Sequence, residues 1–379
     1  QGFQVDTHKS AMNEADLISQ AADVHVLGIR SKTKVTKKFL DQAKKLMSVG
    51  CFCIGTDQVE LGAAKLNGVT VFNAPFSNTR SVAEMVLCEI VMLARRLGDR
   101  NTLLHSGKWD KSSTDCHEVR GKTLGIIGYG HIGSQVSVLA ESFGMTVVYY
   151  DIVTKLPLGN SRQLSKLEDV LKESDFVTLH VPDTAQTRNM ISSAELKIMK
   201  KGSHLINASR GKVVDLKALR AALLEKTLGG AAIDVFPEEP ESNSDGFKSE
   251  MQGLPNVILT PHLGGSTEEA QENIGIEVAT SISRLINNGS TTASVNFPQV
   301  DLPVEHAGHR ILNVHRNVPG VLKNINSIIS DLGANIQAQY LATDPDIGYL
   351  IMDLDKKVSD QVKEKIKELP TSIRTRILY

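Results

Sequence analysis

Thr123-Leu-Gly-Ile-Ile-Gly-Tyr-Gly-His-Ile-Gly133 carries a short apolar run straight into a Gly-x-Gly-x-x-Gly turn, and the residues after that turn read as a helix. Gly128 permits the tight turn, Gly130 lets backbone come against a pyrophosphate, and Gly133 lets the new helix pack closely on the strand. The N–H groups and positive dipole end of that helix would face phosphates. Eighteen residues past Gly133, a second apolar run, Thr146-Val-Val-Tyr-Tyr150, stops at Asp151. An acid at that distance meets an adenosine ribose 2′-hydroxyl and repels a 2′-phosphate, so NAD is expected rather than NADP. Glycines alone would also suit an ordinary strand-to-helix turn. The second strand and its terminal acid favour dinucleotide binding.

A chain of 379 residues should hold two or three domains with sizeable cores. Its 42 basic and 43 acidic side chains give no global field for nucleic acid or an anionic membrane, so any anion site must be local. No apolar run reaches the length of a membrane span. Cys51, Cys53, Cys88 and Cys116 are few and unpatterned, which suits a reducing cytoplasm. Cys51-x-Cys53 lacks zinc-ligand spacing and sits in an apolar run, so both thiols read as packing residues. The histidines show no paired ligand spacing, and no metal site is expected. No Gly-x-Ser-x-Gly elbow points to a hydrolase.

Outward from the glycine loop, the chain alternates strands and helices in the manner of parallel α/β sheets. Before it come a strand ending at Ile29, a helix from Thr36 to Leu46, an apolar run from Met47 to Ile54, a helix from Gln58 to Leu66 and a strand from Thr70 to Asn73. Ala74-Pro-Phe-Ser-Asn78 breaks the rhythm, and a long helix runs from Ser81 to Arg96. The first strand ends on Arg30-Ser-Lys-Thr33, at the edge where open α/β sheets bind ligands; a solvated loop is the competing reading. After the glycine loop, three strands end in turn on Asn207-Ala-Ser-Arg210, on Asp234-Val-Phe-Pro-Glu-Glu239, and on Pro261-His262-Leu-Gly-Gly265. A helix from Glu268 to Asn287, a linker over Phe297–Gly308 and a βαββαβ pattern to the C-terminus complete the chain.

Three strand tips thus deliver Arg210, Glu239 with Asp234, and His262 to one rim, where a nicotinamide should lie. Hydride transfer from a secondary alcohol needs a carboxylate clamp, a base and something to tune that base. Arg210 can be the clamp, His262 the base and Glu239 its tuner, while Asp234 can meet the nicotinamide carboxamide. Each has a plainer alternative: a capping or solvated arginine, a satisfied histidine, an acidic turn.

Through Gly121–Gly133, Leu205-Ile-Asn-Ala-Ser-Arg-Gly211, Ala232-Ile-Asp-Val-Phe-Pro237 and Thr260-Pro-His-Leu-Gly-Gly-Ser-Thr267, the chain resembles the D-isomer-specific 2-hydroxyacid dehydrogenases over practically its whole length. Within them it is most similar to the serine-sensitive group. The resemblance implies two Rossmann-like doubly wound parallel-sheet lobes and a C-terminal ferredoxin-like ACT domain. Residues 1–77 and 266–304 would form the substrate lobe, 78–265 the NAD-binding domain and 308–379 the ACT domain. It implies Arg210, Glu239 and His262 as the catalytic set. NAD contacts would come from His131, Ile132, Asp151, the backbone of Ala208, Ser209 and Arg210, Asp234, and the backbone of His262, Leu263, Gly264 and Gly265. Substrate contacts would come from Arg30, Ser31, Asn78 and Gln271. Arg30 with Lys32 and Lys111 would then face a substrate phosphate; Lys32 stands where relatives can carry Arg, and keeps the charge without the fork.

The implied activity is oxidation of D-3-phosphoglycerate to 3-phosphohydroxypyruvate, the first step towards L-serine, with L-serine as feedback inhibitor. His315, Asn317 and Asn335 fall on the effector positions, although capping of local elements is an alternative for them. A sensor that binds at a two-fold interface needs at least a dimer, and the family implies a cytoplasmic homotetramer. The family's hinge glycine pair reads here as Ala307-Gly308. Its first strand and helix precede anything in this chain, which opens on Gln1-Gly-Phe-Gln, so an N-terminal piece is expected to be absent. The rival readings are a glyoxylate or hydroxypyruvate reductase, and a non-enzymatic sensor of NAD or an amino acid.

Overall fold

The computed structural model describes residues 2–240, 244–303, 309–355 and 358–378. It divides into two compact units, 1–75 with 272–379, and 76–271. In the first, α1 (Glu14–Ala21) starts on Asn13, whose side chain accepts the Asp16 N–H. There follow β1 (Val26–Ile29), α2 (Lys37–Leu40), β2 (Ser48–Cys51), α3 (Leu61–Leu66) and β3 (Thr70–Phe72). The strands pair in parallel in the order β1-β2-β3 over a core that includes Leu17, Phe39, Leu46, Val49 and Val71.

The helix expected over Thr36–Leu46 lasts only four residues. Beyond Leu40, tight turns take over, with the Gln42 N–H on Phe39 O and the Leu46 N–H on Ala43 O. These turns bury Ala43 and Leu46 without a helical period. The apolar spacing marks the core positions correctly, but it does not distinguish a continuous helix from a short one followed by turns.

The second unit begins with α4 (Thr79–Arg95) and α5 (Leu97–His105), separated by Arg96 in the left-handed region. Its remaining strands and α-helices are β4 (Thr123–Ile127), α6 (His131–Ser142), β5 (Thr146–Tyr150), β6 (Arg162–Gln163), α7 (Leu167–Glu173), β7 (Phe176–Leu179), α8 (Ser193–Ile198), β8 (His204–Asn207), α9 (Leu216–Leu224), β9 (Gly230–Ile233) and β10 (Val257–Leu259). All seven strands are parallel, in the order β10-β9-β8-β7-β4-β5-β6. The chain winds outward from β4 to β6 and then returns to build the other half from β7. The strand order therefore reverses beside β4, and the crevice beyond its C-terminal end is the natural ligand site. Separate apolar clusters cover the two faces of this sheet, one holding Leu179, Leu205 and Ile233, the other Ile90, Ile126 and Tyr149.

Helix α10 (Glu268–Asn288) carries the chain back to the first unit. There Asn296 accepts from Val71 N and donates to Val69 O, fastening the following segment to β3. The C-terminal part comprises β11 (His309–Arg316), α11 (Val321–Asp331), β12 (Ile336–Thr343), β13 (Ile347–Leu354), α12 (Ser359–Lys367) and β14 (Ser372–Leu378). Its sheet is antiparallel in the order β12-β13-β11-β14, the expected ferredoxin-like βαββαβ arrangement. One face packs on α11 and α12 through Ile311, Ile325, Leu350 and Ile366; the other meets Phe297 and Val300 through Leu312, Val314, Tyr349 and Ile351. Arg310 is 4% exposed. It grips both oxygens of Asp353 at 2.7 Å and the carbonyls of Asn288, Leu302 and Pro303. The Ala307–Gly308 hinge lies outside the described residues.

Candidate active site

At the C-terminal end of β4, Gly128 has a φ of 91°, and a Cβ there would stand 2.3 Å from the His180 carbonyl oxygen. Neither the conformation nor the space admits a side chain. Gly130 differs, because a Cβ on it would meet nothing within 4 Å. Protein atoms do not demand glycine there, whereas a closely approaching phosphate would. Gly130 is also the N-cap of α6 and gives that helix no side-chain cap. The first turn of α6, His131-Ile132-Gly133, is thus left for an anion. The His131 ring lies 3.8 Å from the ring of Phe76.

Asp151, at the tip of β5, accepts the Tyr129 N–H at 2.8 Å and the Val153 N–H at 3.1 Å. It therefore shapes the glycine loop as well as standing where a ribose would bind. Sequence reasoning misses Tyr129, which stacks on Tyr149 at 3.7 Å and bonds Ser137 and Ser161 through its hydroxyl. This buried loop tyrosine anchors the turn that the glycines permit. Open space at Gly130, an uncapped helix start and an acid at the second strand tip all fit a dinucleotide.

The turn carrying Arg210 is built by Asn207, another residue that the sequence does not single out. Wholly buried at the end of β8, its amide donates to Arg210 O, and its oxygen accepts the Ser209 N–H and hydroxyl. The half-buried guanidinium of Arg210 donates to Ser209 O at 2.7 Å. Gly211 lets this turn lie against the exit of β9, since a Cβ there would fall 2.0 Å from the Phe236 carbonyl carbon.

Asp234, 1% exposed at the end of β9, organises the loop after β10. Its carboxylate accepts from Thr260 Oγ1 at 2.6 Å, Leu263 N at 2.8 Å and Gly264 N at 2.9 Å, while its carbonyl accepts the His262 N–H. That loop holds His262 at a φ of 53°, a conformation which costs most side chains energy and which histidine tolerates better than most. Asn78 packs on the same loop, with its amide nitrogen 2.3 Å from where a Gly265 Cβ would be.

His262 Nδ1 lies 2.8 Å from Glu239 Oε2, and the other Glu239 oxygen accepts the Phe236 N–H at 3.0 Å. The carboxylate's hydrogen bond raises the histidine above its ordinary value, against an opposing effect of burial. Burial would push Glu239 up, but the bonds from His262 and Phe236 outweigh it and leave the carboxyl below its usual range. Arg210 is near enough for its charge to act on both. The strand tips therefore bring Arg210, Glu239 and His262 together, with imidazole Nε2 facing away from the carboxylate that fixes the ring.

The remaining candidates are distributed between the units. Arg30, Ser31 and Lys32 are exposed after β1 in the first unit, where the Arg30 carbonyl accepts from Gln58 at 3.4 Å. Asn78, Lys111 and Gln271 belong to the second, Asn78 being buried and the other two exposed. In the C-terminal sheet, His315 is only 3% exposed and bonds Asn313 at 2.9 Å, whereas Asn317 and Asn335 are exposed on turns. Among the described residues, no cluster of side chains is arranged to hold a metal and no helix is long and apolar enough to cross a membrane.

The family described as D-isomer specific 2-hydroxyacid dehydrogenase, NAD binding domain, matches residues 87–264, and an ACT domain of the AHAS small subunit type matches residues 311–374. A crystal structure of D-lactate dehydrogenase from Aquifex aeolicus, complexed with NAD and lactic acid, superposes with a TM-score of 0.66 at 29% identity, covering 76% of this chain and 90% of that one. The chain belongs to the D-isomer specific 2-hydroxyacid dehydrogenases, and NAD is its cofactor. Among its relatives, D-3-phosphoglycerate dehydrogenase of Dictyostelium discoideum is 57% identical over 379 residues, spanning 100% of this chain and 93% of the relative. The protein of the same name from Escherichia coli is 51% identical over 377 residues, spanning 99% and 92%.

Proposed function

We propose that this chain oxidises D-3-phosphoglycerate to 3-phosphohydroxypyruvate with NAD, as the entry to L-serine, and that L-serine restrains it. The observation carrying this reading is the His262–Glu239 pair at 2.8 Å beside Arg210, in a chain so similar to proteins of that name. When bound, NAD would supply the two-electron acceptor for the hydride of the hydroxyl-bearing carbon. His262 Nε2 takes the hydroxyl proton and returns it in the reverse direction. Glu239 stabilises the imidazolium and keeps the ring oriented. Arg210 clamps the substrate carboxylate through its planar fork. Gly128, Gly130, His131, Ile132 and Gly133 hold the pyrophosphate and Asp151 the ribose. The backbone of Ala208, Ser209, Leu263, Gly264 and Gly265, with Asp234, borders the nicotinamide.

Arg30, Lys32 and Lys111 supply charge for the substrate phosphate, and Ser31, Asn78 and Gln271 complete substrate recognition. Residues 1–77 with 266–304 act as substrate lobe, 78–265 as NAD domain and 308–379 as effector domain. His315, Asn317 and Asn335 meet L-serine at an interface between two copies, so the enzyme works as a homo-oligomer; the family resemblance implies a homotetramer in the cytoplasm. The test is NADH consumption with 3-phosphohydroxypyruvate against hydroxypyruvate, each with and without L-serine. The phosphorylated substrate should be preferred in kcat/KM by at least about tenfold, the worth of one charge-assisted bond. Preference for the plain keto acid would replace this reading with a hydroxypyruvate reductase.

A further inference from the structure

A continuous chain of contacts inside the first unit links a residue assigned to the effector with the loop assigned to the substrate phosphate. Asn317 donates its backbone N–H to Asp346 O at 3.0 Å and its side-chain amide to Asp344 O at 2.6 Å, so it holds the turn between β12 and β13 from two sides. Asp344 stiffens that turn by accepting the N–H groups of Asp346 and Ile347. Both aspartates then reach the ammonium of Lys65 at the end of α3, at 3.0 and 2.8 Å. In the segment leading into α3, Gln58 donates to the Arg30 carbonyl, the Val35 N–H bonds Gln58 O, and the N–H of Glu60, the helix N-cap, bonds Val35 O.

We propose that Lys65 couples effector occupancy to the Arg30–Val35 loop, α3 acting as the rigid link. This inference rests on the effector reading under Proposed function. Lys65 differs from an ordinary surface pair, since its side chain is 18% exposed and it is shared between two carboxylates. Among the described residues, the C-terminal sheet also bonds the substrate lobe from β14, away from the effector turn. Arg374 donates to the carbonyls of Leu46 and Lys44, and Arg376 to Ile286, all from β14. They form the fixed side about which the β12–β13 turn can pull on α3. A small zwitterion taking the Asn317 side-chain oxygen through its ammonium would fix the amide that grips Asp344, and so bias the turn.

The experiment compares full-length wild type, Lys65→Met, Asp346→Asn and Lys65→Arg. For each, L-serine affinity is measured by calorimetry and the rate at saturating L-serine is divided by the rate without it. In Lys65→Met and Asp346→Asn, that ratio should move towards one by roughly two- to thirtyfold, with uninhibited rate and serine affinity near wild type. Lys65→Arg, which keeps the charge, should retain inhibition. If serine binds and inhibits wild type and both neutral variants alike, the coupling role of Lys65 is wrong while the effector reading stands. A wild type that neither binds nor responds to serine overturns both.

Discussion

His262, the proposed base, sits at a φ of 53°, and that backbone narrows what can replace it. Asparagine also tolerates the left-handed region, so His262→Asn removes the proposed base while keeping the loop. That variant should lose roughly a hundred- to ten-thousand-fold in turnover while NADH titration by fluorescence stays near wild type. A histidine raised above its ordinary value stabilises the fold fully below the unfolded value, and that contribution fades as pH rises through the folded one. The depressed Glu239 adds stability above its unfolded value and loses it as pH falls through the folded one. The pair is therefore most effective between those two limits. With His262 as the proposed acid, keto-acid reduction would draw on the imidazolium, so its rate should fall on the alkaline side of the raised histidine. Glu239→Gln removes the main cause of that shift, and the descending limb of the pH–rate profile should move to lower pH. An unmoved limb would show that another group sets it. The residue types at these strand tips are legible in the sequence because each ends an apolar run. The positive φ of His262 and the second role of Asp151 are not, since both depend on which neighbour meets which atom after folding.

Among the elements, α4 carries an unusual burden. Glu89 is 3% exposed within its apolar face, and neither carboxyl oxygen has a partner among the described residues. Burial, together with the charge of Asp234, pushes this carboxyl up to about 8. An acid raised on folding gives up stability as pH climbs from its unfolded value to its folded one. Glu89→Met should therefore raise the thermal midpoint at pH 8 and lose most of that advantage near pH 4, since an apolar side chain removes both the titration and the orphaned oxygens. Equal midpoints at both pH values would show that Glu89 is solvated or paired in solution. A second element-level expectation concerns the Arg210 turn. Gly211→Ala should destabilise the protein by about 1–3 kcal/mol in urea unfolding, because the clash is with backbone that cannot rotate away. The strand–loop–helix of β4 and α6 is readable because glycine spacing and apolar runs agree. The shortness of α2 is not, because turns can bury the same residues as a helix. The α4–α5 boundary at Arg96 stays hidden because nothing local marks a left-handed arginine.

At the scale of the molecule, the 76–271 unit has its own apolar clusters on both faces of one sheet and holds the glycine loop, Asp151 and the Arg210–Glu239–His262 trio. Expressed alone, it should fold and bind NADH but show no measurable turnover, because Arg30 and Lys32 belong to the other unit. Circular dichroism and NADH fluorescence would check this; a disordered fragment would show that its cores do not suffice. The βαββαβ order of the C-terminal part is evident from the sequence. Its attachment through Lys65 to Asp344 and Asp346 is not, because partners so far apart in the chain leave no periodic trace.

The buried grip of Arg310 on Asp353 and on the carbonyls of Asn288, Leu302 and Pro303 has a practical corollary for modular engineering. A crossover at residue 304 would part this arginine from three of its acceptors and strip Phe297 and Val300 from the sheet they pack on. Chimeras that exchange this ACT domain for another should instead join near Asn288, transplanting the 289–303 segment together with the sheet it was shaped against.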